Sequence, residues 1–154
     1  MRVLGVDFGR RRIGLALSDD SAVLASPWRT MAAAETPAAS ASVVADVIAS
    51  LAADDQPVAA VVVGLPRRLN GDDTDQTAPT RVFAAELAKK AGLDVHLQDE
   101  RLTSVEAESR LAEREPDWRR RKAKLDAAAA AIILQEYLDV NARPRDASED
   151  ESSW

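Results

Sequence analysis

Apolar positions along this chain change rhythm in a way that outlines its elements. Two short apolar runs, Val3-Leu4-Gly5-Val6 and Ile13-Gly14-Leu15-Ala16-Leu17, flank a polar turn from Phe8 to Arg12. They read as strands over Arg2 to Asp7 and Ile13 to Ser18, with Gly9 available for a positive φ in the turn. A third strand is expected over Ala22 to Thr30, consecutive and antiparallel. The period then lengthens. Val43, Val44, Val47, Ile48 and Leu51 fall on one helical face and predict a helix from Pro37 to Ala53. Val58 to Val63 is a continuous apolar run of the kind buried on both faces of a sheet. A second helix is expected over Ala78 to Ala91, with Pro79 in its first turn and Gly92 stopping it. Asp94 to Gln98 reads as a fifth strand. Thr103-Ser104-Val105-Glu106 has capping-box spacing and starts a third helix that ends before Pro116. A last helix spans Trp118 to Leu138, with Leu125, Ala129, Ile132 and Ile133 expected to face inward.

Right-handed crossovers make the strands after the first helix parallel. The expected fold is therefore α/β: a mixed five-stranded sheet, three antiparallel strands then two parallel, flanked by helices. Residues 1–138 form one domain. The polar segment 139–154 reads as an acidic, disordered tail.

The 154 residues suit one domain with a real core, and 46% are hydrophobic but only 4% aromatic, so the core is expected to be alanine-rich and helical. The absence of cysteine excludes disulfides, zinc–thiolate sites and thiol catalysis. No apolar run approaches a membrane span, and the start runs directly into a strand with no signal peptide, so a cytoplasmic protein without membrane partners is expected. The net charge of −6 argues against nucleic acid, but its distribution weakens the objection. The segment from Asp139 holds two basic and five acidic residues, leaving 18 against 21, or −3, for the rest. The bases cluster as Arg10-Arg11-Arg12, Arg67-Arg68 and Arg119-Arg120-Arg121-Lys122. One such run is ordinarily a solvated surface. Three runs beside candidate site segments point to phosphate contact.

Three carboxylates stand in telling places. Asp7 ends the first strand, Glu100 follows the fifth, and Asp126 opens an alanine-rich stretch of the last helix. If they converge, they repel one another unless a cation lies among them, and hard divalent ions such as magnesium or manganese take oxygen ligands. That suggests metal-assisted chemistry on a phosphate ester. Blander readings exist for each. Asp7-Phe8-Gly9 with Gly14 is also a tight hairpin, and the similar phosphate loop of actin-like kinases needs a second nucleotide-binding domain that this length cannot supply. Asp99 and Glu100 point to opposite sides of a strand, so at most one reaches a site, and Glu100 could simply pair with Arg101. Asp126 lies about two turns into its helix, too far in to offset the helix dipole. Gly64-Leu65-Pro66 reads as a strand end and site-shaping loop that places Arg67 and Arg68 over a phosphate. His96, the single histidine, and the packing residues Trp28 and Trp118 are read as structural.

These pieces together resemble a known family. Gly5-Val6-Asp7-Phe8-Gly9 with Arg12-Ile13-Gly14-Leu15-Ala16-Leu17-Ser18-Asp19, then Val63-Gly64-Leu65-Pro66, Asp99-Glu100-Arg101-Leu102-Thr103, and Asp126-Ala127-Ala128-Ala129-Ala130 with Ile133-Leu134-Gln135 look like the YqgF/RuvX family. The resemblance spans Met1 to Leu138. It implies a ribonuclease H-like fold, kinship with Holliday-junction resolvases, and a Mg2+- or Mn2+-dependent nuclease maturing the 5′ end of precursor 16S ribosomal RNA in the cytoplasm. Asp7, Glu100 and Asp126 match the family's acidic positions, as metal ligands and catalytic residues. Arg10, Arg11, Arg12, Arg67, Arg68, Arg101, Arg119, Arg120, Arg121 and Lys122 are assigned to the nucleic-acid backbone. Ribosomal particles are further candidate partners, and a monomer or homodimer is expected. Two departures count. Ser104 replaces a common threonine, and Ala123 and Ala129 stand where junction resolvases carry a fourth acid. Two alternatives stay open: a resolvase-like nuclease acting on branched DNA, and a non-catalytic RNA-binding assembly factor.

Overall fold

The computed structural model describes the backbone of residues 1–102 and 119–152, and the side chains of 1–100 and 125–141. Its elements are β1 (Arg2–Phe8), β2 (Arg12–Ser18), β3 (Ala25–Ala32), α1 (Pro37–Ala53), β4 (Val58–Arg68), α2 (Thr77–Ala91), β5 (Asp94–Leu102) and α3 (Arg119–Ser152). The strand order is β3-β2-β1-β4-β5. β1, β2 and β3 are antiparallel neighbours, whereas β4 pairs parallel with both β1 and β5. This is the expected α/β arrangement, a mixed five-stranded sheet with three antiparallel strands and then two parallel. The expected helix after Thr103, and Trp118, lie outside the described residues.

The two faces of the sheet are covered differently. Leu4, Val6 and Phe8 of β1, Ile13 and Leu15 of β2, and Val61 and Val63 of β4 pack with the α1 residues Val44, Val47, Ile48 and Leu51 and the α2 residues Phe83, Ala84 and Leu87. Phe8 and Phe83 stack with ring centroids 4.4 Å apart, a firm backing behind the end of β1. Val3, Ala16 and Val62 face the other way, onto Ala130, Ala131, Ile133, Leu134 and Leu138 of α3.

The register of α3 corrects the expected helical face. Ile133 is buried, but Leu125 and Ile132 are 54% and 62% exposed. Ala127, Ala130, Ala131, Leu134 and Leu138 turn inward instead. The reason lies in the sheet. A Cβ on Gly5 would come within 2.7 Å of Leu134 Cβ and 2.9 Å of the Ala130 carbonyl oxygen. Such close approach favours a helix face of alanines interleaved with Ile133, Leu134 and Leu138, whose side chains use the room that the sheet glycines leave.

Other boundaries also shift. β3 starts at Ala25 because the turn before it is stapled by Asp19, whose carboxylate accepts from the Val23 and Leu24 amides at 2.8 and 3.1 Å. Those bonds hold the Asp19 carboxyl below its ordinary pKa. Gly9 does not adopt the expected positive φ, which is seen at Gly71 and Gly92. It is needed for proximity, since its Cβ would sit 2.8 Å from the Arg12 carbonyl oxygen. Gly64-Leu65-Pro66 is strand and not loop: β4 and β5 stay paired through Pro66↔Glu100, Arg67↔Arg101 and Arg68↔Leu102. Pro66 is tolerated because β4 has by then outrun the ladder with β1, which ends at Val6↔Val63. Finally, the α3 backbone continues through the segment expected as a tail to Ser152; among the described residues the last buried one is Leu138, and 139–141 are exposed.

Candidate active site

Side chains alternate along a strand, so Asp7 shares the α3 face with Val3 and Gly5. Its cross-strand partner in β2 is Gly14, and on its other side the β1–β4 ladder ends one pair earlier, at Val6↔Val63, so that Gly64 is next in register. Both glycines are contact points. A Cβ on Gly14 would lie 2.1 Å from the Asp126 carbonyl oxygen, so α3 lands there backbone to backbone. A Cβ on Gly64 would lie 3.2 Å from Glu100 Oε2 and 2.5 Å from Ile133 Cδ1. The Glu100 carboxylate therefore lies over Gly64. Asp7 stands between two glycines, one under Asp126 and one under Glu100. The three acids predicted from sequence are brought to one end of one face. All three are partly buried.

Asp99 goes to the opposite side, as the strand period requires, and pairs with Arg67 Nε at 3.5 Å. Asp126 Oδ2 meets Arg12 Nε at 3.2 Å, with the two side chains only 16% and 23% exposed. Among the described residues no three His, Cys, Asp or Glu side chains form a ready metal-ligating cluster. The donor set, three carboxylates on one face of the sheet, still fits the oxygen preference of a hard divalent cation.

The basic residues divide. Arg10 and Arg11 are exposed at the β1–β2 turn, and Arg68 is exposed at the end of β4. Arg10 makes only loose contacts, 3.4 Å to Gln76 Oε1 and 3.9 Å to Asp75. Arg12 is committed to Asp126, and Arg67 to Asp99 and, at 3.3 Å, the Gly71 carbonyl. The side chains of Arg101, Arg119, Arg120, Arg121 and Lys122 lie outside the described residues.

Sequence reasoning passed over several supporting residues. Gln76 donates to the Phe8 carbonyl at 3.4 Å while accepting from Arg10, tying the β4–α2 loop to the turn after Asp7. The buried Thr77 hydroxyl donates to the Pro66 carbonyl and fixes the other end of that loop. Gln135 donates to the Val23 carbonyl and accepts from the Ala25 amide, both at 2.9 Å, so α3 is pinned to the β2–β3 connection. Only the glycines carried a sequence signal: glycine inside an apolar strand marks close backbone approach.

The family model for RuvX, described as a Holliday junction resolvase, matches residues 1–140. The chain belongs to the RuvX family. A relative from Maridesulfovibrio salexigens, named "Putative pre-16S rRNA nuclease", is 41% identical over 90% of this chain and 98% of its own. A relative of the same name from Anaeromyxobacter sp. (strain Fw109-5) is 42% identical over 90% of this chain and 97% of its own. Among solved structures, T. thermophilus RuvC in complex with a Holliday junction substrate is 17% identical over 92% of this chain and 96% of that one, with a TM-score of 0.49. Among the described residues, no helix is long and apolar enough to cross a membrane.

Proposed function

We propose that this chain is a metal-dependent nuclease that hydrolyses phosphodiester bonds in the 5′-end maturation of precursor 16S ribosomal RNA. One observation carries the chemistry: Asp7 stands between two strand glycines that seat Asp126 and Glu100 on the same face. The relatives' names supply the substrate. Asp7, Glu100 and Asp126 would hold one or two Mg2+ or Mn2+ ions, which when bound activate water and stabilise the leaving oxygen. The chain's own share is positional. β1, backed by the Phe8–Phe83 stack, fixes Asp7, and the glycine floor lets α3 settle low enough to present Asp126. Arg10, Arg11 and Arg68 line the same end and suit contact with the RNA backbone. Arg101 and the Arg119 to Lys122 run are proposed for the same role on their charge alone, and no protein nucleophile is required.

The family description favours one second reading, cleavage of branched DNA. Ala123 and Ala129, which flank Asp126 at the spacing of a resolvase's fourth acid, weigh against it. The deciding experiment is single-turnover cleavage with Mn2+ on precursor 16S RNA, a four-way DNA junction and unstructured RNA in parallel. The precursor should be cut preferentially. Asp7→Asn, which keeps shape and removes charge, should lower cleavage about a thousandfold or more, the several kcal/mol expected of metal assistance, with RNA binding near normal. Activity within a few-fold of wild type would refute the metal site. Preference for the junction would shift the substrate to DNA. RNA binding without cleavage by the wild type would leave an assembly factor.

A further inference from the structure

Arg12 opens β2 and, two residues before Gly14, stands on the face that carries α3. Its backbone is fixed from two directions, by pairing with Ala32 of β3 and by the Gly9 amide donating to its carbonyl at 2.9 Å. Its side chain is therefore launched from a rigid point. Its Nε meets Asp126 Oδ2 at 3.2 Å, with both side chains more than three-quarters out of solvent. The pairs Arg2–Asp20, Arg10–Asp75 and Arg67–Asp99 differ: their carboxylates are 84%, 96% and 50% exposed. An arginine whose charge is already matched in a partly desolvated pair has little attraction left for a phosphate. The neighbours Arg10 and Arg11, exposed on the same turn, keep theirs.

We propose that Arg12 is a resident counter-cation of the acidic site, a positioning residue and not a phosphate contact. This rests on the metal-site reading above. In the metal-free protein it lowers the repulsion among Asp7, Glu100 and Asp126 and holds the Asp126 carboxylate against β2. When a divalent ion enters, the same positive charge repels it. Arg12 thus favours an ordered empty site while holding metal affinity below what three carboxylates alone would give. The two effects have opposite signs, and a purely structural ion pair would show only the first.

The test uses the full chain, with variants Arg12→Gln, Arg12→Lys, Asp126→Asn and the Gln/Asn double. In EDTA, Arg12→Gln should lower Tm by about 3–8 °C. The same change in the Asp126→Asn background should cost little, since the partner is already neutral. Titrated with Mn2+ alone, Arg12→Gln should bind three- to tenfold more tightly, roughly the loss of one repelling charge. Arg12→Lys should stay near wild type, and it keeps the metal arm readable if Arg12→Gln folds poorly. The salt dependence of RNA binding should be unchanged by Arg12→Gln. An unchanged Tm in EDTA with a salt slope smaller by about one would make Arg12 a phosphate contact and overturn the proposal. Weaker or equal Mn2+ binding by Arg12→Gln, beside a responsive wild type, would overturn it alone. A wild type that ignores Mn2+ would overturn the metal site itself, and the counter-cation role with it.

Discussion

The two faces of the sheet are built to opposite rules. Towards α1 and α2 the strands present Leu4, Val6, Phe8, Ile13, Leu15, Val61 and Val63, and the helices answer with Val44, Ile48, Phe83 and Leu87. Towards α3 they present Val3, Gly5 and Asp7 in β1, Gly14 and Ala16 in β2, and Ala60, Val62 and Gly64 in β4. The first face maximises apolar volume and holds the fold together. The second gives up volume for proximity. Each missing side chain forgoes a contribution of about 1.5–3 kcal/mol from burial. In exchange a helix backbone reaches the sheet at Gly14, which brings Asp126 to the end of the face that carries Asp7 and Glu100. A site can be paid for on one face only if the other supplies the stability.

That contrast can be broken, and the largest effect is expected at Gly14. Gly14→Ala places a methyl where the Asp126 carbonyl oxygen now sits, 2.1 Å from the ideal Cβ. Helix α3 must lift, at about 1–3 kcal/mol or more of stability. Displacing Asp126 by roughly an ångström should also cost about a hundredfold in cleavage. Gly92→Ala is the control. It meets nothing within 4 Å and suffers only its φ of 66°, so it should cost about 1 kcal/mol and leave cleavage intact. Equal effects of the two substitutions on cleavage would end the proximity account.

Next in its effect on cleavage, though larger in stability, is Phe83→Ala on the opposite face. Phe83 is fully buried, and its loss should cost about 3–5 kcal/mol in denaturant unfolding. Cleavage by the molecules that remain folded should change far less than in Gly14→Ala. A collapse of activity at full folding would show that the Phe8–Phe83 stack sets Asp7 geometry as well as stability.

Smaller again is Gln135→Ala, which removes two bonds to the Val23 carbonyl and Ala25 amide and should cost about 1–2 kcal/mol. Hydrogen exchange should quicken at Ala25, whose amide loses its partner, before it does in β1. The smallest effect is expected from truncation after Val140. Among the described residues the last buried one is Leu138, and the removed segment is polar, so Tm should move by less than the equivalent of about 0.5 kcal/mol. RNA binding at low salt should tighten, since the removed segment carries four acidic and two basic residues. A large fall in Tm would extend the second face into the segment now treated as a tail.

Much of this protein was legible in its residues. Alternation and apolar runs placed all five strands, because a strand buried on both faces must be apolar throughout and a turn must be polar. Asp7, Glu100 and Asp126 stood out as acids at strand ends or on an apolar helix, and the opposed directions of Asp99 and Glu100 follow from the pleat alone. Three things were decided only by the fold. The inward face of α3 was misread because hydrophobicity favours Leu125 and Ile132, whereas the glycines of a distant sheet set where the helix lands and so turn Ala127, Ala130 and Leu134 inward. The ends of β4 and β5 were set too early because each strand is held there by the other, and pairing leaves no mark on local composition. Arg12, one of three adjacent arginines, differs from Arg10 and Arg11 through a carboxylate 114 positions away. A sequence determines what each residue prefers. Which neighbour it meets depends on distances that only the packed chain defines.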